Sequence, residues 1–295
     1  MVRKISVILP ALNEAPAIGG VLRGIRAVAD RRLPHDLFEI VVVDDGSSDG
    51  TGAIAEAEGA RVVRHPYPIG NGAAVKAGMR AAGGDVYVLM DADGQHRPEE
   101  IPKLLDALEH HAMVVGARQS DGHASLPRKL ANGLYNRFAS YVTGRRIPDL
   151  TSGFRVVRAG VARRFLYLLP NTFSYPTTIT LACFKTGLPV SYVPIEARKR
   201  EGKSKIRVLK DGARFFLIIL KIATFFSPFR VFFPLAALSF LGGLSYYVYT
   251  YITEHRFPNM AMLLFVQAVI LFSLALISEQ IAQLRFDRSE RRGAE

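Results

Sequence analysis

The stretch DVYVLMDADGQHRPEEI, residues 85–101, sets an uncharged apolar run against two aspartates spaced by one residue. An apolar run of this length reads as a strand covered on both faces. It ends in Asp91 and Asp93; Gln95 follows, and Pro98 stands where the first turn of a helix tolerates proline. Side chains two apart in an extended strand point the same way, so Asp91 and Asp93 can converge on one cation. Without a cation, two such close carboxylates would repel and one would tend to take a proton. The stretch is either a metal claw or a solvated turn before a helix, and its surroundings decide between them.

Outward from this stretch, strand and helix signals alternate over the first 200 residues. KISVILPAL (4–12) is a strand, with a helix from about Pro16 to Ala29. FEIVVVDDG (38–46) is a second strand ending in acids, and TGAIAEAEGA (51–60) a helix. RVVRH (61–65) is a third, short strand, GNGAAVKAGMRAAG (70–83) a helix, and residues 85–93 the fourth strand. A helix from Pro98 to about His111 and the strand MVVGAR (113–118) follow. This is an α/β chain with a mostly parallel, Rossmann-like sheet covered on both faces. Such sheets bind ligands beyond the carboxyl ends of their strands, where Asp44, Asp45, Asp91 and Asp93 fall. A dinucleotide-binding protein would carry G-x-G-x-x-G after its first strand, but that turn reads PALNEAPAIGG.

Composition limits the rest. The 295 residues carry a net charge of +12, and the positive excess falls almost wholly in the second half, where acids are few. That balance fits nucleic acid, an anionic membrane surface or a phosphorylated substrate. Cys183 is the single cysteine, so no internal disulfide forms and a reducing compartment is the simpler reading. One Cys and scattered His build no zinc site, and His110–His111 reads as the end of a helix. The apolar run before Asn13 and Glu14 is too short for a signal peptide.

After about residue 205 the hydropathy changes. Residues 231–253 and 257–278 carry no charge, each run long enough to span about 30 Å of hydrocarbon. Only Glu254, His255 and Arg256 separate them, so the two form a hairpin. Lys205, Arg207, Lys210, Arg214, Lys221 and Arg230 precede it, and Arg285, Arg288, Arg291 and Arg292 follow. By the positive-inside rule both ends face the cytoplasm. Residues 212–230, interrupted by Lys221 and stopped by Pro228, read as a helix lying in the interface, a third span being the alternative. The expected organisation is a cytoplasmic catalytic domain (1–205), a juxtamembrane region (206–230), spans at 231–253 and 257–281, and a basic cytoplasmic tail (282–295). The membrane thus absorbs most of the basic excess, which argues against nucleic acid.

Four stretches occur in order: PALNE (10–14), DDGSSDGT (44–51), DADGQ (91–95) and TSGFR (151–155). Together they resemble the inverting GT-A glycosyltransferases of family 2. GKSK (202–205) before a membrane hairpin narrows the resemblance to polyprenyl-phosphate glycosyltransferases, similar to dolichyl-phosphate mannose synthases and undecaprenyl-phosphate glucosyltransferases. The resemblance covers essentially the whole chain. It implies that Asp44, with Asp45, contacts the base or ribose of a nucleotide sugar, and that Pro10, Asn13 and Glu14 line the same pocket. Read from the residues alone, DDGSSDGT is a turn whose Ser47 or Asp49 caps the next helix. The resemblance adds Gln95 to Asp91 and Asp93 as ligands of Mg²⁺ or Mn²⁺, hard ions suited to carboxylate, amide and phosphate oxygens.

The resemblance also makes Arg118 and Arg128 candidates for the acceptor's phosphate. Asn132 stands where the family often has Ser. Lys199 occupies the usual first Arg position before GKSK, so Lys199 and Arg200 are alternatives for phosphate binding, supported by Ser204 and Lys205. Asp149 lies where many relatives keep a catalytic base; a phosphate nucleophile is already anionic, so Asp149 is expected to orient or balance charge. The expected reaction is inverting hexosyl transfer from a nucleotide-diphosphate sugar, UDP-linked more than GDP-linked, to a polyprenyl phosphate at the cytoplasmic membrane, with a homo-oligomer left open. The alternatives are transfer to another lipid, such as diacylglycerol, and a nucleotide-sugar sensor without turnover. A processive polysaccharide synthase would carry Q-x-x-R-W, and the chain has no tryptophan.

Overall fold

The computed structural model describes residues 4–32, 38–118, 126–172, 174–196, 220–221 and 223–294, with side chains at 32, 126–132 and 285–294 left out. Two compact units divide the chain: residues 1–137 with 145–208, and residues 138–144 with 209–295.

The first unit is built on a seven-stranded sheet. In chain order its elements are β1 (Ile5–Ala11), α1 (Ala15–Arg32), β2 (Phe38–Asp44), α2 (Thr51–Ala57), β3 (Arg61–Arg64), α3 (Asn71–Ala81) and β4 (Val86–Leu89). After a 3-10 turn at Pro98–Glu100 come α4 (Ile101–Ala107), β5 (Met113–Arg118), α5 (Leu126–Thr143), β6 (Arg155–Arg158), α6 (Ala159–Phe165), α7 (Tyr175–Lys185) and β7 (Val190–Ile195). The spatial order is β3-β2-β1-β4-β6-β5-β7. Among the described residues only β6 runs antiparallel to its neighbours, β4 and β5; the other pairings are parallel. The mostly parallel sheet expected from the apolar runs is thus found.

Both faces are covered, which is why the strands carry no polar alternation. Val7 and Leu9 of β1 pack in one cluster with Ile18, Leu22 and Ile25 of α1 and Leu104 of α4. Ile8, which points the other way, meets α3 at Gly78. Each such fully buried aliphatic side chain contributes about 1.5–3 kcal/mol over an exposed one. The helix expected to run from Pro98 to His111 is shorter, and His111 donates from Nδ1 to the carbonyl of Ala107 at 2.8 Å, closing it. The fourth strand is also shorter than expected. β4 stops at Leu89, and Asp91–Gln95 is a turn. Both aspartates therefore lie past the strand end, and extended-strand geometry does not set their directions.

The second unit is dominated by α8 (Pro228–Glu254) and α9 (Asn259–Ala294). Pro228 begins α8 at a position that needs no backbone N–H, and His255, with φ 52°, ends it in the left-handed region. Both helices are long and apolar enough to cross a membrane, with mean hydropathies of 1.6 and 2.6. Only 11% and 17% of those stretches are buried, whereas the core helix of a soluble protein would be mostly covered. Beyond Pro228 at the start of α8, the buried positions among the described side chains are small and recur every seventh residue: Ala236, Gly243 and Thr250 on α8, and Ala261, Ala268, Ala275 and Ala282 on α9. Small residues at heptad spacing let two helix backbones approach closely in lipid, where packing drives association. Large side chains such as Leu238, Leu241, Val269 and Ile270 point outward. The helix α9 continues to Ala294, through the segment expected as a basic tail. At the start of α8, Arg230 donates from Nη1 to the carbonyls of Tyr141 (2.6 Å) and Val142 (3.1 Å). Of the expected interfacial segment 212–230, residues 212–219 and 222 lie outside the described residues; 220–221 and 223–226 are helical, and Ser227 breaks the helix before Pro228 begins α8.

Candidate active site

The carboxyl ends of β1, β2 and β4 carry the acidic motifs. The β1–β2 register pairs Pro10 with Val43 and Ala11 with Asp44, which sets PALNE beside DDGSSDGT. Asn13 turns the chain at φ 56°, a conformation asparagine tolerates. Its N–H donates to Ser47 Oγ (3.0 Å), and its Oδ1 accepts from Ser48 N (2.9 Å). Glu14 N donates to Thr51 Oγ1 (2.9 Å) and Ala15 N to Asp49 Oδ2 (3.0 Å). Asp49 Oδ1 also accepts from Thr51 N at 3.0 Å, so Asp49 serves the first turns of two helices at once. Burial would raise its carboxyl, but bonds from Thr51 and Ala15 outweigh that and hold it below the ordinary range.

The two aspartates of this loop differ. Asp44 accepts from Ser47 N at 2.9 Å, and its other oxygen lies over the bare Cα of Gly52 at the start of α2. Asp45 is 2% exposed. It accepts from His65 Nδ1 (2.6 Å), Ile69 N (3.0 Å) and Gly70 N (2.8 Å). That carboxylate ties the 65–70 loop to the sheet.

The second cluster joins 91–96 to 149–155. Gly94 takes φ 73°, and Asp93 Oδ1 accepts from Gln95 N at 3.1 Å, which tightens the turn. Past the turn His96 is 5% exposed, with its ring against Phe154 at 5.2 Å. Burial, with help from the Arg118 charge, pushes its imidazole down to about 4, against the opposing pull of Asp93 and Asp149. Arg118, at the end of β5, binds Asp149 at two points, Nε to Oδ2 at 2.8 Å and Nη2 to Oδ1 at 3.0 Å. Asp149 accepts further from the N–H groups of Arg118, Thr151 and Ser152. Burial would raise the Asp149 carboxyl, but the Arg118 bonds and charge and these amides hold it below the usual carboxylate range. The Arg118 guanidinium is pushed down by burial and, more strongly, up by Asp149 and Asp91, so it stays charged.

Two residues that hold this cluster were given no role of their own by the sequence. Asn136 of α5 donates to the Pro148 carbonyl (2.7 Å) and accepts from Leu150 N (3.1 Å), fixing both sides of Asp149. Arg155 is fully buried. It donates to the carbonyls of Pro176 (2.9 Å) and Ser152 and to Thr180 Oγ1 (3.1 Å), so a charged side chain is spent on loop geometry.

Residues expected at the donor, Pro10, Asn13, Glu14, Asp44, Asp45, Asp91 and Asp93, thus all fall at the ends of three adjacent strands. Arg118 and Asp149, expected separately, form one ion pair. Arg128 and Asn132 lie on α5, with side chains outside the described set, and Lys199, Arg200, Ser204 and Lys205 lie outside the described residues.

The donor set can be tested for a cation. Among the described residues no three His, Cys, Asp or Glu side chains form a closed metal site. Mg²⁺-type sites do not need one, since they commonly use one or two carboxylates and complete their shell with substrate phosphates and water. The Asp91 carboxylate lies over the bare Cα of Gly153, where a Cβ would come within 2.5 Å of Oδ2. A carboxylate seated in a space kept open for it, with a second one two residues on, fits a hard divalent ion.

Comparison with known proteins agrees with this geometry. Residues 6–166 match the model of Glycosyl transferase family 2, and residues 227–284 match the GtrB C-terminal hairpin. A dolichyl-phosphate hexose transferase of Haloferax volcanii is 33% identical over 221 residues, which cover 74% of this chain and 93% of the relative. An undecaprenyl-phosphate 4-deoxy-4-formamido-L-arabinose transferase of Edwardsiella ictaluri is 30% identical over 81% of this chain and 71% of its own. Among solved structures, glucosyl-3-phosphoglycerate synthase of Mycobacterium tuberculosis, in complex with Mn²⁺, UDP and glucosyl-3-phosphoglycerate, superposes with a TM-score of 0.60 at 25% identity, over 75% of this chain and 80% of its own. The sheet order, the acidic strand ends and these matches lead to one conclusion: the chain belongs to glycosyl transferase family 2, a glycosyltransferase of GT-A fold carrying a GtrB-type C-terminal hairpin.

Proposed function

We propose that the protein transfers a hexosyl residue from a nucleotide-diphosphate sugar to a polyprenyl phosphate, with inversion at the anomeric carbon. The observation that carries this reading is the joining of the Asp91–Gln95 turn to the Arg118–Asp149 pair at the strand ends, in a chain that also bears the hairpin. The Haloferax and Edwardsiella relatives are both named for polyprenyl-phosphate carriers, which supports such an acceptor. The Mn²⁺ and UDP in the mycobacterial structure favour a UDP-sugar donor.

The nucleoside would lie along Pro10, Asn13, Glu14 and Asp44, while Asp45 shapes the neighbouring loop. Asp91, Asp93 and Gln95 would hold Mg²⁺ or Mn²⁺, which when bound neutralises the departing diphosphate. A phosphate oxygen of the acceptor bonds to the anomeric carbon as the bond to the diphosphate breaks, its electron pair leaving with the nucleoside diphosphate. No strong base is required, and Asp149 is unsuited to be one: its lone pairs are committed to Arg118 and to three backbone N–H groups. Instead it fixes Arg118, whose charge would face the two phosphates. Arg128, Asn132, Lys199, Arg200, Ser204 and Lys205 would bind the acceptor's phosphate. Positioning and charge stabilisation then supply most of the acceleration. The hairpin would sit in the cytoplasmic membrane with both ends on the cytoplasmic side, a reading that its flanking cations support.

The test is transfer of radiolabelled sugar to a polyprenyl phosphate in detergent with Mn²⁺. Asp93→Ala is expected to lower turnover by at least about a hundredfold. Near-normal turnover in that variant would remove the metal assignment, and no lipid-linked product with any UDP- or GDP-sugar would remove the transferase reading.

A further inference from the structure

The sheet's one reversed strand places a glycine opposite the first aspartate of the DADGQ turn. The β4–β6 ladder ends at Leu89↔Arg155. Carried two residues further, this antiparallel register sets position 91 opposite position 153. Asp91 lies past the end of β4, so what decides the contact is the space that a side chain at 153 would take. Gly153 has none, and the Asp91 carboxylate fills that space. The three heavy atoms nearest to a Cβ built on Gly153 all belong to Asp91: Oδ2 at 2.5 Å, Cγ at 3.0 Å and Oδ1 at 3.1 Å.

The seat is fixed from both sides. On one flank the guanidinium of buried Arg155 holds the Ser152 carbonyl. On the other, Phe154 packs beneath the His96 ring at 5.2 Å, which joins the far end of the turn to the same segment. Gly153 itself lies outside the left-handed region of backbone space. Its backbone therefore accepts alanine, and the first obstacle to a methyl group there is the carboxylate of Asp91. That carboxylate is the movable end of a side chain, so it, and not the backbone, would give way.

We propose that Gly153 is a positioning residue for the metal-diphosphate site, its missing side chain being the seat that holds the Asp91 carboxylate in place. This rests on the reading of Asp91 as a metal ligand. Gly153 touches neither cation nor substrate; it acts through Asp91 alone, and that restriction makes the proposal testable by a double-mutant cycle.

The experiment measures Mn²⁺ affinity by electron paramagnetic resonance and the melting temperature by thermal scan. It uses the full-length protein in detergent as wild type, Gly153→Ala, Asp91→Ala and the double variant. Gly153→Ala is expected to weaken Mn²⁺ binding by about tenfold or more, the size typical of losing a partner that orients a ligand, while its melting temperature stays near wild type. In the Asp91→Ala background the same substitution should change Mn²⁺ affinity no further. Wild-type affinity in Gly153→Ala beside a weakened Asp91→Ala would overturn the seat. Equal weakening in both backgrounds would overturn it too, since the effect would not pass through Asp91. Wild-type affinity in Asp91→Ala would instead remove the metal reading beneath it. Should Gly153→Ala fail to fold, the double variant decides: recovery of folding with alanine at 91 supports the seat, and continued misfolding rejects it.

Discussion

Two acidic turns flank β1, one at the end of β2 and one at the end of β4, and their hydrogen bonds go to different places. The 44–51 turn closes on nearby backbone. Asp44 takes an amide of its own loop, Asp45 takes two amides and an imidazole from the 65–70 loop, and Asp49 takes the first turns of α1 and α2. The 91–95 turn closes across the sheet, with Asp91 over Gly153 and His96 on Phe154. In the first turn most of the carboxylate capacity builds the scaffold; in the second, a strand from elsewhere in the sequence shapes the space in which the carboxylate sits. Acids at a strand end therefore mark a site only when the destinations of their bonds are known.

That contrast can be broken by substitution. The largest effect on stability is expected from Asp45→Ala, which strands two backbone N–H groups and an imidazole in a buried place. Its cost should be about 3 kcal/mol or more, read from thermal unfolding in detergent. A variant that keeps wild-type stability yet loses nucleotide binding would move Asp45 from scaffold to site.

Asp149→Asn should cost less, about 2 kcal/mol: the amide oxygen still serves the Thr151 and Ser152 N–H groups, but its NH2 cannot accept from Arg118 Nε and N, and the charge assistance is lost. Its pH dependence carries the sign. A carboxyl depressed by folding contributes stability that is whole above the unfolded value near about pH 4 and is lost as pH falls through the lower folded value. The asparagine variant should lack that acid limb, and an unchanged acid profile would contradict the depressed carboxyl. The smallest effect is expected from Asp49→Ala, about 1 kcal/mol for a lost helix cap, with transfer activity kept. A large loss of transfer at unchanged stability would place the 44–51 turn's third acid in the chemistry.

Much of this was legible in sequence because it rests on local pattern. The apolar runs at 40–43 and 113–117 are strands for the reason they read as strands, and the uncharged spans became two long, exposed apolar helices. Asp91 and Asp93 were legible as a pair, but the extended geometry assigned to them was not found, because Gly94 and the Asp93–Gln95 bond bend the chain into a turn. What could not be read was long-range. β6 is a four-residue run bounded by arginines, and nothing local says that it enters the sheet reversed between β4 and β5. Gly153, Asn136 and Arg155 gain their meaning only from that placement. TSGFR was singled out, yet its arginine turns out to be fully buried and bonded to the carbonyls of Ser152 and of Pro176 in α7.

The most direct test of the contrast is a Mn²⁺ titration of the full-length protein, with and without UDP or GDP, in wild type and Asp93→Ala. The expected result is that the matching nucleoside diphosphate tightens Mn²⁺ binding in wild type and fails to do so in Asp93→Ala, although both proteins melt at similar temperatures. Equal tightening in the two proteins would contradict the placement of the metal and diphosphate at the 91–95 turn.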